Sequence, residues 1–229
     1  MFLTRMPINA ARRGARRLMA SPQAFHAAVL AGFAGDGSGR DGRVLWRLDS
    51  HEQRRVVLYV FSPDKPDFTH IVEQAGWPTT EAWDTKSYEP LLDSLEVGKR
   101  FQFRLTANPV RSGRRDGWKE TKPLGHVTAR QQEAWLLDRA ERLGFQVVPS
   151  SVGAGDGVAE PDVAVVDRSV RRFDRKGAQV TLAMATFQGQ LEVSDVEALR
   201  HTLTHGVGRA KAYGCGLLTL ARPPGTSSS

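Results

Sequence analysis

The stretch HGVGRAKAYGCGLLTL, residues 205–220, holds four glycines, Arg209, Lys211 and the chain's only cysteine, Cys215, before it turns apolar. Glycine-rich loops cradle phosphates when the surrounding chain has the right order. A Walker A loop needs G-x-x-x-x-G-K-[ST]. Here Lys211 is followed by Ala212, and the stretch runs into a strand rather than a helix. The dinucleotide fingerprint G-x-G-x-x-G fails too, because Gly206 and Gly208 would require a third glycine at position 211. Neither standard nucleotide loop fits. Two readings remain, and the fold around the stretch decides between them. One is a tight helix-to-strand connection. The other is a loop in which Gly206 and Gly208 give an RNA backbone room to approach, while Arg209 and Lys211 contact phosphates.

Working outward, the N-terminal half alternates strands and helices. FLTRMPIN (2–9) reads as a strand, and SPQAFHAAVLAGFA (21–34) as a helix with Ser21 as N-cap and Pro22 in the first turn. Phe25, Val29, Leu30 and Phe33 share one face of that helix. RVLWRLDS (43–50) and RRVVLYVFS (54–62) are strands, FTHIVEQAGW (68–77) is a short helix, and KRFQFRLTANPV (99–110) is a strand ended by Pro109. The order is β-α-β-β-α-β. The second half follows less cleanly. It has a helix at 128–145, strand-like FQVVPS and VAVVDRSVRRFDRKG around a loop GAGDGVAEP, a strand at 179–193, a helix over SDVEALRHTLTHGVG, and a last strand GLLTLARP. Two tandem ferredoxin-like domains of the α+β class are therefore expected. Residues 1–112 form the first, 113–127 a linker, 128–223 the second and 224–229 a frayed tail. The same sheet serves RNA-recognition modules.

Charge points the same way. Lys and Arg total 32 against 25 Asp and Glu, a net charge of +7, with arginine the main contributor. Arginine forks match phosphates, so nucleic acid is the favoured partner; a basic surface kept for solubility is the alternative. One cysteine excludes an internal disulfide and fits a reducing cytoplasm. No apolar run is long enough to span a membrane. MFLTRMPINAARRGARR is Arg-rich and acid-free like a transit peptide, yet its FLTRMPI alternation reads as folded structure. Glu197, His201 and His205 recur every four residues on one helix, a spacing that can ligate zinc, but no H-E-x-x-H or further cysteine accompanies them. We expect neither metal nor cofactor. His51, His70 and His126 have no supporting constellation.

HGVGRAKAYGCGLLTLA resembles the C-terminal glycine-rich signature of the CRISPR repeat-processing endoribonucleases, most closely those of the CasE type in type I-E systems. MFLTRMPINAARRGARR with SPQAFHAAVLAGF, then VLWRLDS, FRLTANPVRS and WKETKPLGHVTARQQEAWL, match in the same order, so the resemblance covers nearly the whole chain. It implies cleavage of repeat RNA without a metal, a ribose 2′-OH attacking the adjacent phosphate to leave a 2′,3′-cyclic phosphate and a 5′-OH. Such chemistry needs a base, an acid and cations. His26 matches the family's catalytic histidine, and an imidazole suits proton transfer near neutral pH.

Some relatives carry a Tyr one turn before that histidine, where this chain has Gln23, which can bond RNA but cannot act as a base. Ser21 as an orienting hydroxyl, a Lys or Arg, or His26 with substrate geometry alone remain open for the second role. Arg12, Arg13, Arg16 and Arg17 precede the catalytic helix as RNA contacts. By resemblance Arg171, Arg172, Arg175 and Lys176 form a hairpin that grips the repeat's stem-loop, and Lys119 and Lys122 lie in a family-like loop. The implied partners are the repeat stem-loop and the other subunits of a type I-E surveillance complex, with product retained. A guide-RNA-holding subunit that does not cut, kept open by Gln23, and a basic ferredoxin-like scaffold are the alternatives.

Overall fold

The alternation of FLTRMPI becomes β1 (Phe2–Ile8), in which Thr4, Met6 and Ile8 point inward and Arg5 outward. The structure, a computed structural model, describes residues 1–34, 42–50, 55–77, 82–113, 122–150, 160–175 and 177–223. Two helices follow β1, α1 (Arg13–Ala20) and α2 (Pro22–Leu30). Next come β2 (Leu45–Ser50), β3 (Val56–Ser62), α3 (Thr69–Ala75), β4 (Asp84–Ser87) and the short α4 (Glu89–Asp93). The sheet order is β2-β3-β1-β4 and every pair is antiparallel. This is the order that two interleaved β-α-β units give. Phe25 and Val29 of α2 pack with Met6, Trp46, Leu58, Val60, Phe68 and Ile71 to fill the space between helices and sheet. Leu30, expected on the same face, is 44% exposed.

One strand differs from expectation. The fourth strand of this sheet is DTKS at 84–87, too short and polar to show apolar alternation. KRFQFRLTANPV instead supplies β5 (Arg100–Ala107), which pairs with a strand of the second sheet. Its inward Phe101, Phe103 and Leu105 say that it is half-buried, but local alternation carries no information about which sheet buries it. The chain accordingly divides into Met1–Ser94 with Leu203–Leu217, and Leu95–Thr202 with Leu218–Ser229. The boundary expected near residue 112 thus lies earlier, and the glycine-rich stretch belongs to the first unit.

In the second unit β5 is followed by a small hairpin, β6 (Val110–Gly113) and β7 (Lys122–Gly125). Then come α5 (Ala129–Ala140), β8 (Phe145–Val147), β9 (Val163–Arg175), β10 (Ala178–Val193), α6 (Val196–His205) and β11 (Leu218–Ala221). The order is β11-β5-β10-β8, and β9 also pairs with β10. β8 lines 191–193 and β9 lines 178–189 of the long β10, so two short-range partners share the second-strand position. The architecture is two tandem ferredoxin-like domains. Thr128 and Gln131 close a reciprocal capping box at the start of α5. At α6 the cap is Asp195, whose Oδ1 accepts from the Ala198 N–H at 3.0 Å. Most of GAGDGVAEP and the tail at 224–229 lie outside the described residues.

Candidate active site

α1 is amphipathic: Ala15 and Leu18 are buried while Arg13, Arg16 and Arg17 are exposed. Arg12, just before it, has another occupation. Its guanidinium donates to the carbonyls of Val72, Glu73 and Gly76 at the C-terminal end of α3, where unpaired carbonyls welcome a cation. It holds the fold, whereas its three neighbours present charge to solvent.

α2 starts where the sequence says it should, with Ser21 Oγ accepting from the Ala24 N–H at 3.2 Å. One turn in, Phe25 is buried and His26 half-buried. Phe25 stacks on Trp46 with centroids 5.0 Å apart, and the Trp46 indole N–H donates to His26 Nδ1 at 3.2 Å. Burial, and then the positive charge of Arg43, hold the His26 imidazole below its ordinary value, which favours the neutral ring. Arg43 lies at the entry to β2, and its backbone N–H donates to the Thr204 carbonyl at 3.2 Å. Gln23 is half-buried one turn before His26, in the place that the resemblance gives to a Tyr.

The glycine-rich stretch folds onto this helix. A 3-10 turn at Lys211–Tyr213 packs against α2 and β2. Lys211 Nζ donates to the Gly208 carbonyl at 2.8 Å, and burial with the nearby Arg43 charge depresses its ammonium. The Val207 N–H donates to the Gly216 carbonyl and the Tyr213 N–H to that of Ala210, so these two donors are spent inside the loop. The glycines are there for packing as well as turning. A methyl at Gly206, φ 78°, would sit 2.8 Å from the Leu45 side chain, and one at Gly214, φ 81°, 2.9 Å from the Trp46 ring. Gly208 and Arg209 are the exposed part of the loop, and Cys215 is fully buried. Replacing Gly214 with Ala should lower the denaturation midpoint by more than Gly98→Ala. Gly98 has a similar φ of 84° with nothing within 4 Å of an added methyl, so its cost is backbone strain alone, about 1–3 kcal/mol. Equal losses would mean that Gly214 does not seat Trp46.

Thus Arg43 acts electrostatically on both His26 and Lys211, and the turn that carries Lys211 packs on the helix that carries His26, so three distant parts of the chain meet on the first unit. Trp46, Arg43 and Gly214 were not singled out from sequence. Trp46 reads there as one more inward residue of an alternating strand, and Arg43 as one arginine among many. The candidates from the basic hairpin and the 119–122 loop lie in the second unit or outside the described residues. Arg171 is half-buried and Arg172 exposed on β9. Arg175 ends β9 and Lys122 starts β7, while Lys119 and Lys176 lie outside the described residues. Burial and the charges of Arg111 and Arg139 depress His126, despite an opposing effect from Asp138. His70 Nε2 bonds the Ala28 carbonyl at 2.8 Å, and His51 is outside the described residues. Among those residues no group of three His, Cys, Asp or Glu side chains converges, and no helix is long and apolar enough to cross a membrane.

Two ferredoxin-like sheets, with a histidine and two cations gathered against a glycine-rich turn, define a tandem α+β protein carrying a candidate proton-transfer site. The chain belongs to the CRISPR-associated protein family: the family model described as "CRISPR associated protein" matches residues 1–222. It is 30% identical over 222 residues to the CRISPR-associated endoribonuclease Cse3 of Thermus thermophilus, covering 96% of this chain and 100% of that one. It is 27% identical over 182 residues to the Cascade subunit CasE of Escherichia coli K12, covering 77% and 88%. A solved structure of Thermus thermophilus Cse3 bound to an RNA representing a pre-cleavage complex superposes with a TM-score of 0.76 at 30% identity, covering 96% of this chain and 98% of that one.

Proposed function

We propose that the protein is a CRISPR repeat endoribonuclease that uses His26 to cut precursor RNA at the repeat stem-loop and stays bound to its product within a surveillance complex. The observation that carries this reading is Arg43 acting on both His26 and Lys211, with the turn of Lys211 packed on the helix of His26, on a chain that aligns end to end with a named endoribonuclease. In the reaction the 2′-oxygen bonds to phosphorus, the bond to the 5′-oxygen breaks, and one proton leaves the 2′-OH while another reaches the departing oxygen. His26 serves one of these transfers at Nε2, the nitrogen that no described residue hydrogen-bonds. Lys211 and Arg43 offset the charge that builds on the phosphorane oxygens. His26 takes one of the two proton transfers, solvent water exchanges the other, and the two cations meet the phosphorane charge, so none of these roles calls for a divalent metal. Arg13, Arg16 and Arg17, with Arg209 on the loop, hold the RNA backbone, and Arg171, Arg172, Arg175 and Lys176 engage the stem through phosphates and groove shape. Assembly with other subunits is supported by the CasE relative, itself named a Cascade subunit.

Gln23 favours one other reading, a subunit that holds guide RNA without cutting. Incubating the protein with end-labelled repeat RNA in excess EDTA separates the two. The expected products carry a 2′,3′-cyclic phosphate and a 5′-OH. Cleavage only with added magnesium, or a 5′-phosphate product, contradicts the proposed chemistry. Tight binding without products identifies a holding subunit, and binding no better than to a generic polyanion identifies a scaffold.

A further inference from the structure

An indole N–H only donates. Because Trp46 Nε1 donates to His26 Nδ1 at 3.2 Å, the imidazole keeps its lone pair on Nδ1 and, being neutral, its proton on Nε2. Neither form that transfers a proton at Nε2 shares this arrangement. An imidazolium acid carries N–H on both nitrogens, and a neutral base with its lone pair at Nε2 carries its proton on Nδ1. Either one sets an Nδ1–H against the indole N–H, donor against donor. Trp46 is not free to yield. It is 3% exposed, stacked on Phe25, and bounded by Gly214 at its ring edge. His26, half-exposed, is the partner that can turn.

We propose that the Trp46 N–H is a latch on His26, holding the ring neutral with its proton on Nε2 until docking of the RNA phosphate breaks the bond and permits proton transfer at that nitrogen. This rests on the cleavage reading above. The charged groups around α2 give it direction. Arg13, Arg16 and Arg17 on α1, Arg43 before β2 and Lys211 on the 3-10 turn are basic side chains, and the turn also carries Tyr213. The one acid on β2, Asp49, is paired with Arg47. None of these favours an imidazolium, and burial with Arg43 already opposes one. An RNA phosphate is the missing anion, so the latch opens when substrate arrives. Trp46 is therefore a positioning residue: it acts through His26 without touching RNA.

The ring nitrogens of His26 can be read directly by ¹⁵N NMR, with the signal assigned by its loss in His26→Ala. In the free protein Nδ1 should show an unprotonated shift and Nε2 a protonated one. With repeat RNA made uncleavable by a single 2′-deoxy substitution at the cut site, that pattern should be lost. A protonated Nδ1 in the free protein, or an unchanged pattern on binding, overturns the latch. Trp46→Phe keeps the ring on Phe25 but removes the donor. It should move the limb of the single-turnover pH profile that titrates with His26 upward by about half to one unit. An unmoved profile overturns the proposal. The NMR readings need no turnover, so the latch and the cleavage reading fail separately. Cleavage in EDTA with no tautomer preference sinks only the latch, and a latched histidine in a protein that never cuts sinks only the cleavage reading.

Discussion

Replacing His26 with Ala is expected to slow single-turnover cleavage of repeat RNA by about 10²–10⁴-fold, the usual contribution of a positioned proton-transfer group. RNA affinity should stay near that of the wild type, because the proposed phosphate contacts lie on other side chains. Folding should survive the change. α2 is held by the Ser21 cap and by the buried Phe25 and Val29, none of which depends on the imidazole. The substitution does leave the Trp46 N–H without its acceptor, at a cost of about 1–3 kcal/mol in a buried setting. His26→Gln offers that N–H a carbonyl oxygen again and should be as inactive while melting closer to the wild type. Rates measured with enzyme in excess, beside equilibrium binding, separate the two effects. Cleavage by His26→Ala at the wild-type rate would remove His26 from the chemistry.

The largest effect on stability is expected at Asp49. Arg47, 2% exposed, and Asp49, 3% exposed, form a two-pronged pair, Nε to Oδ1 at 2.7 Å and Nη2 to Oδ2 at 2.9 Å. Arg47 Nη1 also donates to the Leu217 carbonyl at 3.0 Å, the residue at which the glycine-rich stretch leaves the first unit. Asp49→Ala leaves a buried guanidinium without its carboxylate, and breaking such a pair from one side costs about 3–5 kcal/mol. Chemical denaturation of Asp49→Ala should show a loss of that order. The double change Arg47→Met with Asp49→Leu, which buries no charge, should recover much of it. Recovery of stability would still leave the Leu217 carbonyl without its Arg47 hydrogen bond, one of the contacts that seat the stretch on β2, so cleavage by the double variant should remain impaired. A loss below about 1 kcal/mol for Asp49→Ala would place this pair among those that contribute little.

Much of the fold was legible because it rests on local signals. The alternation of FLTRMPI, the Ser-Pro start of α2 and the apolar runs of β2, β3 and β10 each fixed an element. What stayed hidden was non-local. DTKS becomes a strand because β1 needs a partner on its open edge, and nothing in four polar residues announces that. RFQFRLTA declares a strand but not the sheet that takes it, and assigning it by order along the chain put the domain boundary too late. α1 was hidden by its arginines, which read as a cluster of charge although Ala15 and Leu18 give it a buried face.

The candidate site divides in the same way. The resemblance supplied His26, and composition supplied the arginines. Trp46 and Gly214 are visible only once the chain has brought residues 26, 46 and 214 together. For the glycine-rich stretch the sequence left two readings, a tight helix-to-strand connection and a loop that receives an RNA backbone. In the fold its turn lies against the helix that carries His26, and two of its glycines are shaped by Leu45 and Trp46.

The most direct measurement uses one atom. With the cut site mapped on all-ribose repeat RNA, the wild-type protein is offered the same RNA bearing a single 2′-deoxy nucleotide at that position, in EDTA and with enzyme in excess. This RNA should bind as tightly as the ribose substrate and should not be cut at that bond. Cleavage of the deoxy bond at a rate comparable to the ribose one would contradict the proposed chemistry, because no 2′-oxygen would be present to attack.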